Sequence, residues 1–308
     1  MSEALRPLVA AEQRCSLMSA TQQEPLLGTA PEASAFLLLE VRGAWASKIL
    51  ASELPEDVRA WLRAADSQHA GLRLQFIRAP RRTLGPLALY LCRVGEGCAR
   101  LLLDRLDDLV RVDLDSFLRT GTHPGAEALT APLTLVCTHG RRDVCCALLG
   151  NPVFDALTAA AGGCDDEVPR VWQASHLGGH RFAPVVLSLP DGHCYGRVRP
   201  EEAGAFVAAQ AAGHIHLPTR LRGRTLDPAW LQAASVQLRI DDDLRALDAL
   251  LPGASQRVED DGSVVMLRTS AGDVRMRVQQ ETRSAALRPT SCGEAHTPTT
   301  HYRATRLP

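Results

Sequence analysis

The stretch CTHGRRDVCC, residues 137–146, places three cysteines and a histidine within ten positions, and SHLGGHRF, residues 175–182, places two histidines four apart. Eight residues separate Cys137 from Cys146, three separate His176 from His180, and 29 lie between the two pairs. Thiolate and neutral imidazole together suit zinc or an iron–sulfur centre. Three chemistries are open: a Cys2His2 metal centre, a redox dithiol, or packed thiols beside ordinary histidines. A structural zinc site usually closes its cysteine pair over about two to four residues, so a spacing of eight is wide for it. An iron–sulfur centre is larger and tolerates a longer loop. The dithiol reading lacks the C-x-x-C spacing of redox thioredoxins, since Cys145 and Cys146 are adjacent.

The elements around these residues bring the two pairs to one place. LTLVCTHG reads as a buried strand ending at Cys137, and CCALLGNPVFDALTAAAG as a helix interrupted near Gly150 and Pro152. VPRVWQAS is a second strand that delivers His176, and Gly178-Gly179 makes a tight turn able to aim His176 and His180 at one point. Cys137, Cys146 and His176 then share one edge of the sheet, where open α/β sheets place their sites. APVVLSLPDGHCYGRV follows as a hairpin turning at Asp191-Gly192, and RPEEAGAFVAAQAAG as a helix. Strand, helix, strand, hairpin, helix is the order of a thioredoxin-like unit.

Upstream, residues 1–33 read as polar and irregular. AFLLLEV, the helix LPEDVRAWLRAAD, and the strands LRLQFIRA, LALYLCRV and ARLLLDRL then indicate another α/β unit. Downstream, a helix is expected from Asp227 to about Leu251, followed by a hairpin of SVVMLRTS and DVRMRVQQ. The expected organisation is an N-terminal α/β region over 1–128, a thioredoxin-like domain over 129–225, and a helix-plus-hairpin region over 226–308. Whether the first α/β unit duplicates the second is left open.

Composition narrows the function. The chain has 308 residues, 45% hydrophobic and 22% charged, with a net charge of −1. That balance provides no global field for nucleic acid or an anionic membrane. Lys48 is the only lysine, which excludes a P-loop Gly-Lys-Ser/Thr and leaves almost no scope for Schiff-base chemistry. The N-terminal residues lack the apolar region of a signal peptide, and no apolar run is long enough to span a bilayer. A cytoplasmic setting is expected, in which nine cysteines argue against a disulfide framework. No Gly-x-Gly-x-x-Gly fingerprint is present to bind a dinucleotide. Nor is there a carboxylate pair suited to glycoside hydrolysis.

CTHGRRDVCC followed by HLGGHRFAPVVLSLPDGHCYGRV resembles the sucrase/ferredoxin-like family. The family pattern falls on Cys137, His139, Arg142, Asp143 and Cys146, then His176, Gly178, Gly179, His180 and Arg181, then Pro190, Gly192, Tyr195, Gly196 and Arg197. The resemblance is strong over about residues 130–215, and RCSL…EPLLGTAP is similar to bacterial members. It implies a thioredoxin-like ferredoxin with a [2Fe–2S] cluster on Cys137, Cys146, His176 and His180. Cys145 stands where the pattern often has arginine, and spacing favours Cys146 as the ligand. Arg142 and Arg181 are expected to offset charge near the cluster, and Asp143 to hold a loop amide or an arginine. Cys145 would be a neighbouring thiol. His139 and His193 read as loop histidines first and alternate ligands second, Cys164 and Cys194 as packed or loop thiols, and Cys15, Cys92, Cys98 and Cys292 have no motif partner. Two imidazoles in place of two thiolates remove negative charge, which in Rieske centres lifts the potential from about −400 mV to roughly −150 to +300 mV. The implied activity is one-electron transfer or redox sensing with a partner protein, rather than catalysis on an organic substrate. The alternatives are a structural zinc module and a metal-free thiol oxidoreductase.

Overall fold

A computed structural model describes residues 10–81, 84–162, 170–259 and 262–308. The N-terminal segment carries a helix that its polar composition does not signal, α1 (Cys15–Thr21), which buries Cys15, Ser16 and Ser19. Then β1 (Ala35–Glu40), α2 (Glu56–Gln68) and β2 (Leu72–Arg78) form a crossover with the two strands parallel. β3 (Leu87–Arg93) returns antiparallel beside β1, and β4 (Gly97–Leu103) beside β3. α3 (Leu114–Thr120) and the two-residue β5 (Glu127–Ala128) complete this unit.

The next elements repeat the scheme. β6 (Leu133–Cys137), α4 (Val144–Ala160) and β7 (Val171–Ala174) form a second parallel crossover. β8 (Val185–Leu189) runs antiparallel to β6 and β9 (His193–Gly196) antiparallel to β8, followed by α5 (Ala203–Ala211). With β10 (Leu221–Arg224), the strands make one sheet in the order β10-β9-β8-β6-β7-β2-β1-β3-β4-β5. The orders β7-β6-β8-β9 and β2-β1-β3-β4 are the same arrangement, joined where β2 and β7 pair antiparallel, Ile77 opposite Ala174. The first α/β unit is therefore a topological duplicate of the second, a point that sequence patterning leaves open.

Strands covered on both faces are written as unbroken apolar runs. All six residues of β1 are buried, with Phe36 and Leu38 in one core and Leu37 and Leu39 in the other. α2 lays Val58, Leu62 and Ala65 on the second of these. In β6 the period-two alternation sends Leu133, Leu135 and Cys137 to one face and Val136 to the face covered by α4.

The C-terminal region departs from the expected helix and hairpin. α6 (Ala229–Asp241) stops ten residues short of Leu251, where Asp241, Asp242 and Asp243 set negative charge against the negative end of the helix dipole and Asp243 takes φ 47°. β11 (Leu250–Glu259), β12 (Gly262–Thr269), β13 (Gly272–Pro289) and β14 (His296–Arg306) then form a four-stranded antiparallel sheet, the expected hairpin being β12–β13. Cys92 and Cys98, opposite each other on β3 and β4 and without a motif partner in the sequence, are joined as a disulfide, against the expectation of a chain without a disulfide framework. The other described cysteines are free and buried, and Cys164 lies outside the described residues. Among the described residues no helix is long and apolar enough to cross a membrane.

Candidate metal centre

Cys137 is the last residue of β6 and Cys146 sits in the first turn of α4, after a loop of six residues beginning at Thr138. Asp143 caps that helix, its carboxylate accepting from the Cys145 N–H at 2.9 Å. A thiol in the first helical turn lies near the positive end of the dipole, which favours thiolate. The helix is pressed against the strand: a Cβ at Gly150 would stand 2.1 Å from the Cys137 carbonyl oxygen. Gly150 is thus a close-approach residue, and α4 runs uninterrupted through it and Pro152.

His176 follows β7, and the first unit holds that strand end in place. Ser175 donates its N–H to the Phe76 carbonyl at 2.7 Å and its hydroxyl to Gln75 Oε1 at 2.7 Å, while its Oγ accepts from the Phe76 N–H at 3.0 Å. Gly178 and Gly179 then take φ of 90° and 70°, and His180 opens a short 3-10 turn, His180–Phe182. The fully buried Arg222 pins this turn by donating to the Gly178 carbonyl at 2.9 Å and to Thr29 Oγ1 at 3.1 Å.

These elements bring together one donor atom from each of Cys137, Cys146 and His176, all within 4.8 Å of one another. The His180 ring lies beside that of His176, with centroids 4.8 Å apart. Cys137, Cys146 and His180 are buried, and His176 is half-buried. Hydrogen bonding to Cys146 and then to His176 holds the Cys137 thiol well below its ordinary range against the opposing effect of burial, while sharing with Cys137 pushes Cys146 up. Burial keeps the His180 imidazole neutral by lowering its pKa, opposed by Asp143. The Nδ1 atoms of His176 and His180 are buried without a hydrogen-bond partner among the described residues. Two thiols and two imidazoles with unsatisfied ring nitrogens form a donor set that fits a soft or borderline metal.

The neighbouring residues named from the sequence are distributed differently. Asp143 holds loop amides, as anticipated, accepting from the Cys292 N–H at 2.8 Å as well as from Cys145; its Oδ2 also lies 3.7 Å from His180 Nε2. Arg181 turns away to Glu24, its Nε donating at 3.0 Å and its guanidinium lying over the Phe182 ring. Arg142 is half-buried, and its backbone N–H closes the loop on the His139 carbonyl at 3.1 Å. Cys145, one residue before Cys146, points about 100° around the helix, to Cys15 and Cys292 rather than to Cys137. His139 packs edge-on against Trp45, and His193 is buried on β9 away from the pair of imidazoles. Spacing alone misses Cys15, Cys292, Glu24 and Arg222; the four cysteines without motif partners are the only trace of the first two.

The fold and the site define an α/β protein of two topologically matched units sharing one mixed sheet, one of which carries a buried Cys/His cluster at its sheet edge. Residues 26–223 match the sucrase/ferredoxin-like family, and the chain belongs to it. A stretch of 101 residues is 30% identical to altered inheritance of mitochondria protein 32 of Meyerozyma guilliermondii, covering 31% of this chain and 35% of that relative's length. No solved structure matches the chain.

Proposed function

We propose that the chain binds a [2Fe–2S] cluster through Cys137, Cys146, His176 and His180 and serves as a one-electron carrier or redox sensor. One observation supports this above all: two buried thiols and the His176 imidazole gather at one sheet edge with the His180 ring beside them, both imidazoles keeping an unsatisfied nitrogen. Bound there, the cluster would supply reversible one-electron chemistry. The chain's contribution is to hold the donors and exclude water. With its Nδ1 free for a metal, His180 keeps Nε2 toward Asp143, whose carboxylate can fix the proton on that nitrogen. Half-buried His176 is the point of closest approach for a partner. That partner is a second protein, a reductase or an electron acceptor, because the chain carries no dinucleotide fingerprint of its own. We place this activity in the cytoplasm, with neither nucleic acid nor membrane as partner.

A single zinc ion on the same residues is a second reading, favoured by the compactness of the Cys137, Cys146 and His176 donor atoms. Iron, acid-labile sulfide and zinc are counted per chain on protein purified without oxygen or chelators. About two iron and two sulfide support the cluster, whereas zinc at this site without sulfide removes the electron-transfer reading. With the cluster bound, His180→Ala bleaches or shifts the visible spectrum while the circular dichroism stays near wild type. An unchanged spectrum would exclude His180 as a ligand.

A further inference from the structure

Three cysteines that the proposed electron-transfer site leaves unused converge in the core. Cys15 comes from α1, Cys145 from the first turn of α4, and Cys292 from the turn between β13 and β14. Their sulfurs form a triangle, with Cys15–Cys145 at 3.7 Å, Cys145–Cys292 at 3.4 Å and Cys292–Cys15 at 3.6 Å. Both carboxylate oxygens of Asp143 lie 3.8 Å from Cys15 Sγ. All four side chains are buried. We propose that Cys15, Cys145, Cys292 and Asp143 form a second metal site, a closed structural zinc centre distinct from the one on Cys137, Cys146 and His176.

The triangle has the dimensions of one face of a zinc tetrahedron. With Zn–S bonds of about 2.3 Å, two thiolates on one tetrahedral ion lie about 3.8 Å apart. A cubane would spread its thiolates over separate irons, which sulfurs this close cannot reach. Charge points the same way. The Asp143 carboxylate is fully buried, and among the described residues its ion-pair contact is His180 at 3.7 Å, too long for a hydrogen bond. Three thiols and a carboxylate gathered away from water are the ligands a divalent ion takes, with room for it at the open face of the triangle. Hydrogen bonds from Ser291 Oγ at 3.1 Å and the Cys292 N–H at 2.8 Å orient the carboxylate, as outer partners of ligating carboxylates do. Cys145 stands 130 positions from Cys15 and 147 from Cys292 in the sequence, so the ion would tie both ends of the chain to the helix that carries Cys146. Neither Cys15 nor Cys292 falls within the family match.

The test uses the full chain and does not depend on which metal fills the first site. In one variant, Cys137→Ser, Cys146→Ser and His176→Ala dismantle that site. In another, Cys15→Ser and Cys292→Ser dismantle the second. Both are purified with Zn2+ present, freed of unbound metal and analysed by elemental mass spectrometry. The first variant is expected to keep about one zinc per chain, and the second to lose one zinc relative to wild type while keeping the metal of the first site. No zinc in the first variant, or unchanged zinc in the second, overturns the proposal. A disulfide between any two of the three cysteines, found by non-reducing peptide mapping of fresh wild-type protein, overturns it as well. If the second variant fails to fold, Co2+ added to the first variant decides the matter. Thiolate-to-cobalt charge transfer with tetrahedral d–d bands supports the site, and their absence overturns it.

Discussion

At the scale of single residues, His193 shows what burial does to a titratable group beyond the candidate site. Its imidazole is held down to about 3, first by burial and then by Arg239 and Arg224. The folded chain therefore keeps it neutral, while the unfolded chain protonates it near pH 6.5. Below that pH the unfolded state binds more protons, so stability falls as pH drops from about 6.5 toward 3 and levels off beneath. At pH 5 the loss from this residue is about 2 kcal/mol. Burial lowers His139, His180 and His216 in the same direction. Urea unfolding at pH 7 and pH 5 should then show a steep loss of stability in wild type and a shallower one in His193→Asn. Equal losses in the two proteins would reject the role given to His193.

At the scale of elements, α4 on β6 decides whether Cys137 and Cys146 meet. Gly150→Ala sets two effects against each other. Helix propensity alone favours alanine by about 1 kcal/mol. Against it stands a methyl group 2.1 Å from the Cys137 carbonyl, an overlap with backbone that cannot rotate away. Overpacking of this kind costs about 1–3 kcal/mol, and here the helix itself must lift. The variant should melt at lower temperature and hold metal at the first site less tightly; a rise in melting temperature would show that α4 shifts at no cost. The same glycine marks what the sequence could and could not disclose. Strand ends at Cys137 and before His176, the Gly178-Gly179 turn and the Asp191-Gly192 hairpin were legible, because each depends on local patterning. Gly150 and Pro152 suggested an interruption, because residue type says nothing of how closely a helix approaches its strand. The N-terminal helix is hidden by its seven-residue length and the lack of a side-chain cap, and the acidic end of α6 reads as continued helix.

At the scale of the whole molecule, segments outside the family match close over the site, an arrangement no short motif could encode because it joins residues more than 260 apart. Glu24, buried just after α1, receives Arg181 of the site turn at 3.0 Å, the Ser19 hydroxyl at 2.6 Å and Arg288 of β13. Ser19 in turn accepts from Arg197 at 2.9 Å. One carboxylate thus links the N-terminal helix, the loop carrying His180 and the C-terminal sheet. A buried pair adds little net stability over an apolar one, yet removing a single partner strands the other charge and costs about 3–5 kcal/mol. Glu24→Gln leaves the Arg288 guanidinium buried without its anion, and it should lower the unfolding free energy by about 3 kcal/mol. Metal at the first site should also escape faster to an external chelator, since the His180 loop loses its tether. Glu24→Leu combined with Arg288→Leu removes both charges, so it should recover much of the stability while the faster release persists. If the double variant is as unstable as Glu24→Gln, the pair contributes through attraction rather than through the penalty of a stranded charge. If release is unchanged in both, the terminal segments pack over the site without holding it closed.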